Sequence, residues 1–164
     1  MITLVLGGTR SGKSEVAEQL AARLPQPVTF VATALVTDDE MRARVEQHRA
    51  RRPSTWPTVE CDADLPGALR GLDGTLLVDS VGTWVAQLPD LSVDPDHLIA
   101  ALVERPGSTV VVSEEVGLAV HAPTEAGRRF TDTLGALNLA VAARADDVFL
   151  VVAGRCLRLS NADA

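Results

Sequence analysis

Gly7-Gly8-Thr9-Arg10-Ser11-Gly12-Lys13-Ser14 has the spacing G-x-x-x-x-G-K-S of a phosphate-binding loop. Glycines let such a loop curl until several backbone N–H groups point at one anion. A helix that begins near Lys13 adds the positive end of its dipole. The lysine then reaches the β- and γ-phosphates of a nucleotide, and the Ser14 hydroxyl binds Mg²⁺. The implied chemistry is phosphate transfer or hydrolysis at ATP or GTP. A glycine-rich turn that binds nothing would show the same letters. The context favours the phosphate loop: an apolar run, Ile2-Thr3-Leu4-Val5-Leu6, precedes it, and a helical pattern follows.

Three further groups could take part. Asp79 ends the apolar run Thr75-Leu76-Leu77-Val78, where a phosphate-loop enzyme often keeps the acid that holds Mg²⁺. The competing role is a helix N-cap or turn residue, and Ser80 could cap equally well. The segment Met41–Arg52 holds Arg42, Arg44, Arg49, Arg51 and Arg52 against a single acid, Glu46, in a chain of net charge −7. At helical spacing Met41, Val45 and His48 share one face, with Arg44 and Arg51 beside it. An imidazole among guanidiniums could attack or hold a phosphate. It could as well be a partly buried histidine on a solvated basic helix. Glu114-Glu115-Val116-Gly117 follows another apolar run, and its residue types alone favour an acidic surface loop. His97 and His121 read as surface residues.

The elements that would position these groups alternate. Strands are expected at Ile2–Leu6, Val28–Ala32, Thr58–Cys61, Thr75–Asp79, Thr109–Ser113 and Val148–Val152, with Arg155–Leu159 returning as a short C-terminal hairpin. Helices are expected at Ser14–Leu24 (stopped by Pro25), from Thr37 to about Arg51, and at Asp64–Gly71, Val81–Leu88, Asp96–Glu104 and Glu125–Arg144, with a Pro/Asp-rich turn at Pro89–Pro95. Apolar strands alternating with helices predict an α/β fold: a mostly parallel sheet with helices on both faces. Ligands bind such sheets at the carboxyl ends of the strands. Gly7, Thr33, Asp79 and Ser113 should therefore line one rim.

Composition narrows the function. The chain has 164 residues, expected to form one domain over 1–164, with 46% apolar and 23% charged residues. Aromatic residues are 3%, with no Tyr, so stacking platforms for single-stranded nucleic acid are lacking. Net negative charge also disfavours nucleic acid and anionic membranes as partners. Cys61 and Cys156 are isolated, so reduced thiols are expected rather than a zinc site. Met1 opens directly into a strand, and no apolar stretch reaches the ~20 residues of a membrane span. The expected location is the cytoplasm.

In these blocks the chain resembles the bifunctional adenosylcobinamide kinase / adenosylcobinamide-phosphate guanylyltransferases. The phosphate loop has that family's G-G-x-R-S-G-K-S form. Phe30-Val31-Ala32-Thr33-Ala34, Asp38-Asp39-Glu40-Met41 and Arg44-Val45-Glu46-Gln47-His48-Arg49 follow in order. Then come Arg52-Pro53, Trp56, Thr58-Val59-Glu60, Glu115-Val116-Gly117, a helix with Asn138, and Asp147 to Gly154. The resemblance implies a P-loop NTPase-like fold and two reactions. The aminopropanol hydroxyl of adenosylcobinamide takes the γ-phosphoryl of ATP or GTP. A histidine then attacks the α-phosphate of GTP, expels pyrophosphate and passes GMP to the corrinoid phosphate, giving adenosylcobinamide-GDP.

The family's guanylylated histidine lies in the helix after the D-D-E-M block, which makes His48 the carrier here. The resemblance implies nucleotide contacts from Gly7, Gly8, Thr9, Arg10, Ser11, Gly12, Lys13, Ser14, Thr33 and Ala34, and from Arg52, Pro53, Glu60 and Asp79. It implies Mg²⁺ at Ser14 and Asp79, catalysis by Lys13 and His48, and a homotrimer. A plain phosphate-loop kinase for another small metabolite would need Lys13 and Asp79 but not His48. A nucleotide-dependent switch or ATPase would hydrolyse slowly and carry no covalent nucleotide.

Overall fold

The computed structural model describes residues 1–34, 39, 45–46, 49–118 and 120–161. The helix expected from Thr37 to about Arg51 lies largely outside these, His48 included; residues 45–46 and 49–51 are helical. Among the described residues seven strands form one sheet. They are β1 (Ile2–Gly7), β2 (Val28–Ala32), β3 (Thr58–Glu60), β4 (Thr75–Asp79), β5 (Thr109–Glu114), β6 (Asp147–Val152) and β7 (Arg155–Leu159). Their order is β3-β2-β4-β5-β1-β6-β7. β7 runs antiparallel to β6 as the expected hairpin, and the other pairings are parallel. Besides the helical residues at 45–46 and 49–51, five helices can be bounded among the described residues: α1 (Lys13–Ala21), α2 (Leu65–Arg70), α3 (Val81–Val85), α4 (Pro95–Glu104) and α5 (Glu125–Ala142).

Strand alternation sends side chains to both faces, and each face is covered. Leu4, Leu76, Val78 and Val111 pack with Leu65, Leu69, Val85, Leu98, Leu134 and Leu137 from α2 to α5. Val5, Val28, Phe30, Leu77, Val110 and Val112 pack with Ala17 and Ala21 of α1 and with Trp56. Leu134, Leu137 and Val141 form the buried stripe of α5 that its helical spacing predicts. Each such leucine contributes roughly 1.5–3 kcal/mol by leaving water.

Several ends differ from the sequence expectation. α1 stops at Ala21 rather than Leu24, because Arg23 and Leu24 tighten onto the carbonyls of Leu20 and Ala21 ahead of Pro25. α3 likewise ends at Val85, after which Gln87 and Leu88 wind into turns on Trp84 and Val85. β5 runs one residue further than expected and ends on Glu114. At the opposite end of the sheet, buried Arg105 donates to the carbonyls of Leu72, Gly74 and Ser108 and to Thr109 Oγ1. It ties the entries of β4 and β5 together, and burial pulls its pKa down. The carboxyl ends of β1, β2, β4 and β5 are thereby left to form a rim.

Candidate active site

The phosphate loop leaves β1 beside Glu114, the residue paired with Gly7 in the β1–β5 register. Arg10 (φ 57°) and Gly12 (φ 92°) both take left-handed backbone, the turn pattern that concentrates N–H groups on one side. Gly154, in the β6–β7 turn, donates its N–H to Ser11 O at 2.7 Å. A trans peptide points its C=O and N–H in opposite directions. The Gly12 N–H therefore faces away from Gly154. The Ser11 hydroxyl accepts from Lys13 N at 3.3 Å and braces the start of α1. The Lys13 side chain folds back across the loop, with Nζ 3.4 Å from Gly8 O and 3.5 Å from Glu114 Oε1.

β4 and β5 supply an acidic wall. Ser80 caps α3, its hydroxyl accepting from Thr83 N, while Thr83 Oγ1 accepts from Ser80 N in return. That settles which residue caps the helix and leaves Asp79 facing the cleft. Ser80 Oγ also lies 3.0 and 3.1 Å from the two carboxylate oxygens of Glu114, to which it donates. Asn138 Nδ2 donates to the Glu114 carbonyl, and Ser113 Oγ donates to Asn138 Oδ1. Thr33 is buried behind this wall; its hydroxyl donates to Ser80 O at 2.6 Å and meets Thr83 Oγ1 at 2.6 Å. Gln87 Nε2 closes the back by donating to Thr33 O and Thr83 O.

The opposite wall is basic. The Arg52 guanidinium lies over the Phe30 ring, 3.4 Å from its centroid. Burial lowers the Arg52 pKa first; Glu18 and Asp79 act the other way, and Arg49 and Arg51 reinforce the fall. Glu18, on α1, pairs with Arg51 at 3.5 Å. Burial still raises its pKa above the ordinary glutamate range, with Asp79 adding to the rise and Arg51 and Arg52 opposing it.

These walls enclose a cleft of about 930 Å³. It brings together Thr9, Arg10, Ser11, Gly12, Lys13, Ser14, Ala34, Arg52, Glu60 and Asp79 among the residues singled out in the sequence. Gly7, Gly8, Thr33 and Pro53 are not part of its lining: Gly7 closes β1, and Thr33 braces Ser80 from behind. His48 lies outside the described residues, but Val45 and Arg49 line the cleft. His97 and His121 are exposed, as expected. Cys61 is buried at the cleft wall and Cys156 is exposed, both as free thiols.

Glu114 corrects the expectation of an acidic surface loop: it ends β5, lines the cleft and pairs with the loop lysine. Thr83 and Glu18 were not singled out in the sequence; Ser80 was read only as a helix cap, and Phe30 only as part of a motif block. Glu114 alone left a signal, an acid directly after an apolar run.

A model of the family described as "Cobinamide kinase / cobinamide phosphate guanyltransferase" matches residues 3–159. The chain is 40% identical to the "Bifunctional adenosylcobalamin biosynthesis protein CobP" of Pseudomonas aeruginosa over 163 residues, covering 94% of each. It is 35% identical to the CobU protein of that description from Salmonella typhimurium and 36% identical to that of Escherichia coli, covering 94% of this chain and 97% of each relative. A solved ATPase from the type III secretion system of pathogenic bacteria superposes with a TM-score of 0.54 at 13% identity, over 91% of this chain and 50% of that one. That likeness concerns the fold alone. Among the described residues no helix is long and apolar enough to cross a membrane.

Proposed function

The chain belongs to the cobinamide kinase / cobinamide phosphate guanyltransferase family, and from that premise we propose how its cleft serves both reactions. It is a bifunctional transferase: it phosphorylates adenosylcobinamide with ATP or GTP and then transfers GMP from GTP to the phosphate so formed, releasing pyrophosphate. The observation that carries this reading is a folded-back Lys13 on a phosphate loop, at the floor of a single large cleft with one acidic and one basic wall. One triphosphate site can present its γ-phosphorus in the first reaction and its α-phosphorus in the second.

Lys13 and the loop amides hold the phosphates and neutralise charge as it shifts to the leaving group. Ser14 and Asp79 would hold Mg²⁺, which shields the phosphate oxygens when bound. Their hard oxygen donors suit that ion. Among the described residues no group of three or more His, Cys, Asp or Glu could hold a metal.

His48 carries GMP as a phosphoramidate in this reading. Neutral imidazole is a good nucleophile toward phosphorus and leaves readily once charged. The positions of Val45 and Arg49 at the cleft support it. Arg52 and Glu60, which line the cleft, contact guanine, with the Glu60 carboxylate suited to accept from the ring N–H and amino groups; Pro53 shapes the chain beside Arg52. The protein works in the cytoplasm as a homotrimer. In support of assembly, every residue of the edge strand β7 is exposed, Leu157 and Leu159 among them, with Val152 beside the turn.

The test uses adenosylcobinamide, Mg²⁺ and γ-labelled ATP or GTP. Label should appear in the corrinoid with wild type and not with Lys13→Ala. Nucleotide hydrolysis with an unlabelled corrinoid would move the protein to the switch or ATPase class.

A further inference from the structure

We propose that Glu114 is the catalytic base of the phosphoryl-transfer step. The inference rests on the kinase half of the function above. The two reactions make different demands. The kinase acceptor is an alcohol, whose proton must leave as its oxygen bonds to phosphorus. The guanylyl acceptor is a phosphate, already ionised, and needs no base. A base for the first step has to stand near the γ-phosphate, at the end of the triphosphate that the loop lysine reaches.

Glu114 meets this demand more closely than the other acids of the cleft. β5 lies next to β1, and Glu114 is paired with Gly7 at the start of the loop, whereas Asp79 lies one strand further out on β4. The Glu114 carboxylate is 3.5 Å from Lys13 Nζ. Its neighbours Ser80 Oγ and Lys13 Nζ both donate, so it is held as an acceptor. It is also fixed in place: Asn138 holds its backbone carbonyl, and its side chain lies where a Cβ on Gly82 would stand, 1.8 Å from Oε2. When a nucleotide arrives, Lys13 turns to the phosphates and the carboxylate is left facing the incoming hydroxyl.

In the step, the acceptor oxygen forms a bond to the γ-phosphorus. The bond from that phosphorus to the β–γ bridging oxygen breaks, and the nucleoside diphosphate leaves with the electron pair. The hydroxyl proton passes to the Glu114 carboxylate.

The experiment compares wild type, Glu114→Gln and Glu114→Asp in two assays on the full chain. One measures γ-phosphoryl transfer to adenosylcobinamide at saturation. The other measures GMP transfer from α-labelled GTP to chemically supplied adenosylcobinamide phosphate. Glutamine keeps the shape and can still accept from Ser80. Thermal melting checks that each variant is folded. Glu114→Gln should lower kinase kcat by roughly 10²–10⁴-fold, lower guanylyl transfer far less, and leave the KM for adenosylcobinamide near its wild-type value. Glu114→Asp should recover part of the kinase loss. Equal loss in both assays would overturn the proposal, since Glu114 would then only place Lys13. So would an undiminished kinase rate, or a loss reversed by raising Mg²⁺, which would make Glu114 a metal ligand. If wild type itself passes no phosphate to adenosylcobinamide while still hydrolysing nucleotide, the function above fails and the base falls with it.

Discussion

Replacing Gly82 by alanine tests the placement of Glu114 without touching Glu114. A methyl group built there would stand 1.8 Å from Oε2, 2.8 Å from Cδ and 3.2 Å from Leu134 Cδ2. The first two contacts are impossible, so the carboxylate must swing away from Ser80 and Lys13. The hydrogen bond from Ser80, made to a charged acceptor, contributes about 1.5–3 kcal/mol. The exposed part of the Lys13 pair adds little. Against this, alanine in a helix is favoured over glycine by roughly 0.5–1 kcal/mol. The net expectation is a loss of about 1–2 kcal/mol, read as a lower urea midpoint with an unchanged slope. In a Glu114→Ala background the clash with the carboxylate is gone and only the 3.2 Å approach to Leu134 Cδ2 remains; once that side chain gives by a few tenths of an ångström, Gly82→Ala should stabilise by up to about 0.5–1 kcal/mol. The two backgrounds thus differ in sign, a coupling that a double-mutant cycle measures directly. Stabilisation by Gly82→Ala in the wild-type background would refute the packing of Glu114 against α3.

Three other changes have definite expectations. Glu18 binds its proton more tightly folded than unfolded, so its contribution to stability falls as pH rises from the ordinary glutamate range toward its raised folded pKa; Glu18→Gln should flatten the part of a urea-stability profile just above the ordinary glutamate range, and an unchanged profile counts against it. Thr33→Val removes a buried donor behind Ser80 and should cost ~1–3 kcal/mol in chemical denaturation, with transfer activity falling as Ser80 loses its brace. Arg52→Lys gives up the flat guanidinium contact with Phe30; with about 0.5–2 kcal/mol in that stacking, GTP affinity by calorimetry should fall about two- to thirtyfold, and undiminished affinity would remove Arg52 from the nucleotide site.

What could be read from the chain depended on the range of the interaction. The phosphate loop is a local device: eight residues between a strand and a helix contain nearly all of it, and the structure places Thr9 to Ser14 at the cleft. The rim was legible too, because alternating strands and helices leave one end of the sheet for ligands. Glu114 was not. Whether β5 ended on Ser113 or Glu114 depended on a single residue of register, and nothing local says that β5 is the strand lying against β1. Glu18 left no local signal, since the Arg51 that pairs with it lies beyond another strand in the sequence. Thr33 was expected at the rim and lies there, but it faces Ser80 rather than the cleft, a distinction set by the packing of α3.

The central claim is that one phosphate loop serves a kinase and a guanylyl carrier. The most direct test incubates wild type, His48→Ala and Lys13→Ala with α-labelled GTP and Mg²⁺, then adds adenosylcobinamide phosphate. Wild type should take up an acid-labile, alkali-stable label that the corrinoid phosphate discharges, and His48→Ala should take up none. Lys13→Ala should be labelled far more slowly. An unlabelled wild type that still moves phosphate in a Lys13-dependent way would contradict the claim and leave a plain kinase or ATPase.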